Sequence, residues 1–180
     1  GGTATVAVMS SGAGPIVIKR YNNKGMLHRL TRMFRRSRAS VSWANTFRLE
    51  FLGINTLKPV ALIEKRFGPL RGRAYFISHY LGGDDASALM ERPQLDAEVA
   101  SIVGIIKDLK AAGVSHGDLK STNFLLTDEG AAIIDLDSMR EHATSQCLRK
   151  AQIRDQERFL RNWRNDPALE KKFADLLKSP

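Results

Sequence analysis

Between His116 and Leu126 the chain reads HGDLKSTNFLL, and a few residues later IIDLD at Ile133 to Asp137. No other feature restricts the fold as tightly. Asp118, Lys120 and Asn123 stand in one loop at i, i+2 and i+5, and Asp135 follows twelve residues after Asn123. The runs FLLT and AAIIDLD are β-type and flank the turn DEG. Such a turn folds the chain back on itself, so Asn123 and Asp135 are expected at neighbouring strand ends.

Those residue types match what magnesium-assisted transfer of a γ-phosphoryl group requires. A carboxylate must receive or orient the attacking hydroxyl, oxygen donors must hold a hard dication, and a cation must offset the phosphate charge. Asp118 is the expected base, Lys120 the phosphate cation, and Asn123 and Asp135 the magnesium ligands. Asn five residues after Asp is also the spacing of the kinase catalytic loop H-R-D-x-x-x-x-N.

An independent signal lies near the start. TATVAV and PIVIKRY read as a hairpin around MSSGAG, and Val17-Ile18-Lys19 matches the V-A-I-K strand whose lysine pairs the nucleotide phosphates. If Val6 is the last residue of G-x-G-x-x-G-x-V, Gly1 takes the second glycine and Ala4 the third. The first glycine and first strand then fall before residue 1. Gly2, Ala4, Val6 and Lys19 are the expected nucleotide-binding residues on this side.

The rest of the chain fits around these two signals. Residues 25–52 show helical spacing, with Leu27, Leu30, Met33 and Phe34 and then Trp43, Phe47 and Phe51 expected in the helix core. GINTLKP breaks that helix, and VALIEKRF and RAYFISHYL follow as strands. Gly82-Gly83-Asp84-Asp85 reads as a linker. QLDAEVASIVGIIKDLKAAG is an amphipathic helix with Gly113 as its C-cap. Ser145 to Leu177 reads as two helices, with Pro167 at the start of the second. The expectation is α+β, divided at 1–81 and 82–180.

Charge is distributed unevenly. The total is +9, yet no acid precedes Glu50, while nine basic residues do. Residues 50–180 are therefore neutral, and the excess is densest in HRLTRMFRRSRAS. Such a patch attracts a polyanion: a phosphorylated substrate, an anionic membrane surface or nucleic acid. No apolar run reaches the roughly 18–20 residues that span a bilayer. The opening residues are read as carrying no signal peptide. A single Cys147 excludes an internal disulfide framework and fits a reducing compartment. His116 is expected as a packed, hydrogen-bonded residue, and Asp137 as either a turn residue or a second metal contact. His28, His79 and His142 are too scattered for a metal site.

With HGDLKSTNFLL, IIDLDSMR, VIKRY, RRSRAS and LGINTLKPVALIE together, the chain resembles the lipopolysaccharide core kinases, the bacterial Kdo/heptose kinases. The resemblance implies a protein-kinase-like fold of two lobes, a small antiparallel sheet lobe and a mainly helical one. It implies ATP and Mg2+ as cofactors, a sugar hydroxyl of the lipopolysaccharide inner core or another phosphorylated glycolipid as acceptor, and a cytoplasmic, membrane-peripheral location. Arg32, Arg35, Arg36 and Arg38 would then face the anionic membrane, and nucleic acid is the partner this reading disfavours. The adenine edge is expected at the backbone of FISHYL. Gly117 stands where protein kinases carry the Arg of HRD, and no A-P-E follows. That combination implies no activation-loop phosphorylation and a small or glycolipid acceptor. The helix expected to supply a glutamate to Lys19 has none at its centre, leaving Glu50, Asn45 or a group elsewhere in the chain as the partner. The competing classes are a binding module that uses the fold without turnover, and a small-molecule or protein kinase. The missing glutamate favours the first, while the presence of Asp118, Asn123 and Asp135 together opposes it.

Overall fold

The computed structural model describes residues 4–12, 14–21, 36–68, 70–91 and 96–179. Gly1, Gly2, Arg32, Arg35 and the helical expectation for 25–34 lie outside the described residues.

The chain opens as β1 (Ala4–Ser11) and β2 (Gly14–Tyr21), continues into helix α1 (Arg38–Phe51), and returns as β3 (Pro59–Phe67) and β4 (Leu70–His79). These strands form one antiparallel sheet in the order β1-β2-β4-β3. The Ser37 hydroxyl starts α1 by accepting from the Ser40 amide. Its inward stripe is Ala39, Ser42, Thr46 and Leu49, at helical spacing. Small residues dominate that stripe, so the helix backbone lies close to what it packs on. Phe47 and Phe51, expected in the core, fall on the opposite side and are 46% and 89% exposed. Trp43 does pack inward, 6.4 Å from Phe76 ring to ring.

A second core forms around α2 (Asp96–Ala111), α3 (Ser145–Leu160) and α4 (Pro167–Lys178). Val99, Ile102, Ile106 and Leu109 give α2 its buried face, and Gly113 ends that helix at φ +70°. Phe159 and Phe173 meet edge to face at 4.9 Å, and Trp163 stacks on Phe173 at 4.9 Å. Asp166 caps α4 by accepting from the Leu169 amide, with Pro167 at the first helical position. Helix α1 contributes Ala39 to the sheet core and Leu49 to the helical core, so it belongs to both.

Short strands complete the second half: β5 (Asp84–Asp85), β6 (Val114–Ser115), β7 (Phe124–Thr127), β8 (Gly130–Ile133) and β9 (Arg140–Glu141). The expected linker at 82–85 is not one, because Asp84 and Asp85 pair with Leu126 and Leu125 of β7. Gly83 makes this close approach workable. Its φ is +105°, and a Cβ there would lie 1.9 Å from the Leu126 carbonyl oxygen. Replacing it with alanine is expected to destabilise the fold by about 2–4 kcal/mol in a chemical denaturation series. Gly82→Ala is the control, since a Cβ at Gly82 meets nothing within 4 Å. Equal stability of the two variants would refute the role given to Gly83.

Candidate active site

The loop His116 to Asn123 is held from behind by one side of α3. The Asp155 carboxylate, buried in α3, accepts from the His116 amide at 2.7 Å and from the Gly117 amide at 3.0 Å and 3.1 Å. Charge-assisted bonds of this kind fix a backbone more firmly than neutral ones. Two turns further on, Asn162 accepts from the Ser121 amide and hydroxyl. Gly117 has φ +80°, and a Cβ there would lie 2.7 Å from the Ser138 carbonyl oxygen. Glycine at 117 therefore has a steric cause in addition to leaving no arginine at that position.

The His116 ring is 1% exposed. Its Nδ1 accepts from the Asp118 amide at 3.3 Å, so Nε2 carries the proton and donates to the Ile134 carbonyl at 3.1 Å. Burial holds this imidazole below its ordinary value, with the Ile134 carbonyl and nearby carboxylates opposing. The ring joins the loop to the strand that leads to Asp135.

Asp118 projects from this loop, partly exposed. One carboxylate oxygen accepts from the Arg158 guanidinium, and Lys120 Nζ lies 3.4 Å from the other. Asn123 is buried, and its Nδ2 donates to the Asp118 carbonyl at 2.9 Å. That bond orients the amide and leaves Oδ1, a hard oxygen, without a donor among the described residues.

The β7–β8 hairpin does what its sequence predicted. Phe124 pairs with Ile133, and the Ile134 amide donates to the Asn123 carbonyl at 2.9 Å. Asn123 and Asp135 thus stand at adjoining strand ends. Asp135 has φ +61° and ψ +54°, the one non-glycine residue with positive φ among the described residues. Its carboxylate accepts from Lys19 Nζ at 2.5 Å, so β2 and this turn meet across the cleft. Burial opposes the Asp135 charge, but the Lys19 ammonium outweighs it and holds the carboxyl below its ordinary value. In register, Val6 of β1 lies directly across from Lys19, with its side chain 59% exposed, and Ala4 lies across from Tyr21.

Asp137 is more than a turn residue. Its side chain is 4% exposed and pairs with Arg38 at 2.6 Å. Burial, then the neighbouring Asp135 charge, push this carboxyl up, with Arg38 and Lys19 opposing. Lys19 and Arg38 lie 5.3 Å and 5.1 Å from the Tyr21 ring, and Tyr21 shares a 2.9 Å hydrogen bond with Ser42. Burial raises the Tyr21 phenol well above its ordinary range. Arg38 is therefore engaged within the chain, contrary to its expected place facing a membrane. Arg36 is exposed.

Neither expected partner of Lys19 takes that role. Glu50 is exposed at the far end of α1. Asn45 instead donates through Nδ2 to the carbonyls of Leu136 and Met139, both at 2.9 Å. The GINT segment continues the attachment. Asn55 accepts from the Ile133 amide at 2.9 Å and Thr56 donates to the Ile133 carbonyl at 2.6 Å.

The comparisons with known proteins agree with this geometry. The profile of the lipopolysaccharide kinase (Kdo/WaaP) family matches residues 2–179. The chain belongs to that family. Among solved structures, this Kdo/WaaP-family chain is similar to WaaP in complex with acyl carrier protein. The two share 21% identity and a TM-score of 0.60, over 98% of this chain and 86% of that one. It is also similar to the Rio2 kinase in its ADP/Mg2+-phosphoaspartate complex from Chaetomium thermophilum, at 15% identity and TM-score 0.65, over 99% and 60%. No curated protein sequence matches the chain. Both structural likenesses establish a protein-kinase-like fold for the Kdo/WaaP-family chain.

Four residues of this site escaped the sequence: Asp155 and Arg158 on α3, Asn162 in the 3-10 turn that follows it (Arg161–Trp163), and Arg38 on α1. A signal existed for the first three, since positions 155, 158 and 162 share one helix face. Nothing in the sequence showed that this face meets the loop.

Asn45→Leu removes both donors to buried carbonyls, and is expected to cost about 2–4 kcal/mol, read by urea denaturation. A cost under about 0.5 kcal/mol would show that α1 is not held through Asn45. The His116 ring is expected, by NMR, to keep its proton on Nε2 and to titrate below about 6.5. Between its folded value and about 6.5 only the unfolded ring is protonated, so its contribution to stability is lost as pH falls through that window. Titration at or above 6.5 would contradict this.

Proposed function

We propose that the protein is an ATP- and Mg2+-dependent phosphotransferase acting on a sugar hydroxyl of the lipopolysaccharide inner core, at the cytoplasmic face of the membrane. The observation that carries this reading is the meeting of Lys19, Asp135, Asn123 and Asp118 in one cleft, in a chain of the Kdo/WaaP family.

Asp118 accepts the proton of the attacking hydroxyl. The sugar oxygen forms the new bond to the γ-phosphorus, the bridging bond to the β-phosphate breaks, and ADP leaves. Lys120, beside Asp118, offsets charge on the transferring group, and Lys19 meets the other phosphates once it releases Asp135. The residues present fit a magnesium ion. Asn123 offers an undonated amide oxygen and Asp135 a carboxylate held ionised. Among the described residues no group of three or more His, Cys, Asp or Glu side chains forms a metal cluster. A site with two protein oxygens, completed by water and phosphate, is how magnesium is commonly bound. When bound there, the ion would neutralise the phosphate oxygens. Gly2, Ala4 and Val6 would cover the nucleotide. The amides of His79 and Tyr80 are already bonded to the Lys58 and Pro15 carbonyls, so the adenine edge falls to the backbone from Leu81 onward.

No helix of the described residues is long and apolar enough to cross a membrane. The proposed approach to the glycolipid is therefore peripheral, aided by the basic segment that includes Arg36. A catalytic lobe of 82–180 and a nucleotide lobe of 1–81 is the division this reading uses.

Transfer of radiolabelled phosphate from ATP to purified lipopolysaccharide core is the direct test. Wild type is expected to label the core, and Asp118→Ala to lower the rate by about 10²–10⁴-fold. Nucleotide binding without transfer to core by wild type would sink the proposal in favour of a binding module.

A further inference from the structure

Phosphoryl transfer as proposed needs one cation beside the base, yet Asp118 carries two. Lys120 is one, and Arg158 is the other. Arg158 extends from the last turn of α3, with its side chain 44% exposed at the cleft. Its backbone is fixed, because Asn162 donates to the Arg158 carbonyl at 2.6 Å while also holding Ser121. Asp155, one turn earlier, holds the loop amides. The guanidinium is thus set against the base by a rigid support.

It does not stand alone. Arg154 lies four residues before it and Arg161 three after, and the backbone stays helical through Arg161. Residues at that spacing share one helix face. Both arginines are exposed, and neither forms an ion pair with a described residue. The exposed acid between them, Glu157, stands three residues after Arg154 and four before Arg161, so it neighbours the two outer arginines and lies about a quarter turn from Arg158. Arg158 is the guanidinium that touches the base, and Arg154 and Arg161 flank it along the same side of the helix. A guanidinium binds carboxylate or phosphate through two parallel bonds, a geometry a lysine cannot supply.

We propose that Arg158, flanked by Arg154 and Arg161, binds an anionic group of the acceptor, a carboxylate or a phosphate, beside the hydroxyl to be phosphorylated. As the acceptor docks, Arg158 exchanges Asp118 for that anion. Asp118 is then free to take the hydroxyl proton, so an acceptor carrying the anion is selected together with the release of the base. The inference rests on the proposed function and names the acceptor chemistry that function would select.

The test uses three forms of a lipopolysaccharide core oligosaccharide: untreated, with carboxylates converted to methyl esters, and treated with phosphatase. Steady-state transfer is compared for wild type, Arg158→Gln and Arg158→Lys. The glutamine variant is expected to lose about tenfold or more in kcat/KM on untreated core, mostly through KM. On the form from which the recognised anion has been removed or masked, wild type itself is slow and the same substitution costs less than about twofold. The ester and phosphatase arms thereby tell carboxylate from phosphate. Lysine is expected to restore only part of the loss. Arg154→Gln and Arg161→Gln are expected to give smaller losses in the same sense. An equal loss on all three forms, or a loss confined to KM for ATP, would assign Arg158 a purely structural role and overturn the proposal. If wild type transfers no phosphate, the proposed function fails, and calorimetric binding of the three oligosaccharides still decides on Arg158. Affinity that is the same in wild type and Arg158→Gln would then overturn it.

Discussion

Two ion pairs reach the turn after β8, one from the sheet and one from helix α1: Lys19 to Asp135, and Arg38 to Asp137. These four charges tie β2 and α1 to the turn that carries Asp135. Asp137 is nearly dry, and a buried carboxylate without its cation would be strongly disfavoured. Asp135 is kept ionised by Lys19 and so remains a competent oxygen donor. Arg48 pairs with Glu141 in the same sense at the surface. Three basic residues of the acid-free first quarter, Lys19, Arg38 and Arg48, thus find their partners among residues 135–141.

Helix α1 sits where that exchange takes place. It contributes to both cores, Asn45 bonds the backbone that follows Asp135, and the GINT segment bonds β8. A glutamate on this helix would tie Lys19 through a charge that can be withdrawn. Asn45 makes two neutral bonds to buried carbonyls instead. Glycine stands at 117, and only residues 138–144 separate Asp137 from α3. On the other side of the loop, α3 plays the corresponding part. Asp155 fixes the backbone that presents Asp118, while Arg158 touches its carboxylate.

Most of the element order could be read from patterns of two and 3.6, together with a few end signals such as Asp166-Pro167 and Gly113. The catalytic loop and hairpin were legible because their spacing is local: a loop, a strand, a two-residue turn and a strand determine where Asn123 and Asp135 must meet. What misled was exposure. Phe47 and Phe51 have the spacing of a core stripe, but α1 packs through its small residues, and periodicity alone does not choose between two faces of an amphipathic helix. Gly82-Gly83-Asp84-Asp85 has the composition of a linker, yet Gly83 serves a strand pairing that no local rule announces.

The chain's own residue order determined the side chains on offer: an aspartate, a lysine and an amide in one loop, a second aspartate at the end of a hairpin, a lysine on an early strand, and glycine in place of arginine at 117. Short-range backbone geometry is sufficient to arrange those groups, so they can be recognised without a fold. Tertiary structure alone decided which charges are partners and which face the cleft. Arg38 is counted among a basic patch in the sequence and is an internal counter-ion in the molecule, whereas Arg158 vanishes into a neutral total and pairs with Asp118. Electrostatic energy depends on separation and burial rather than on order along the chain, and both are set only when distant segments pack.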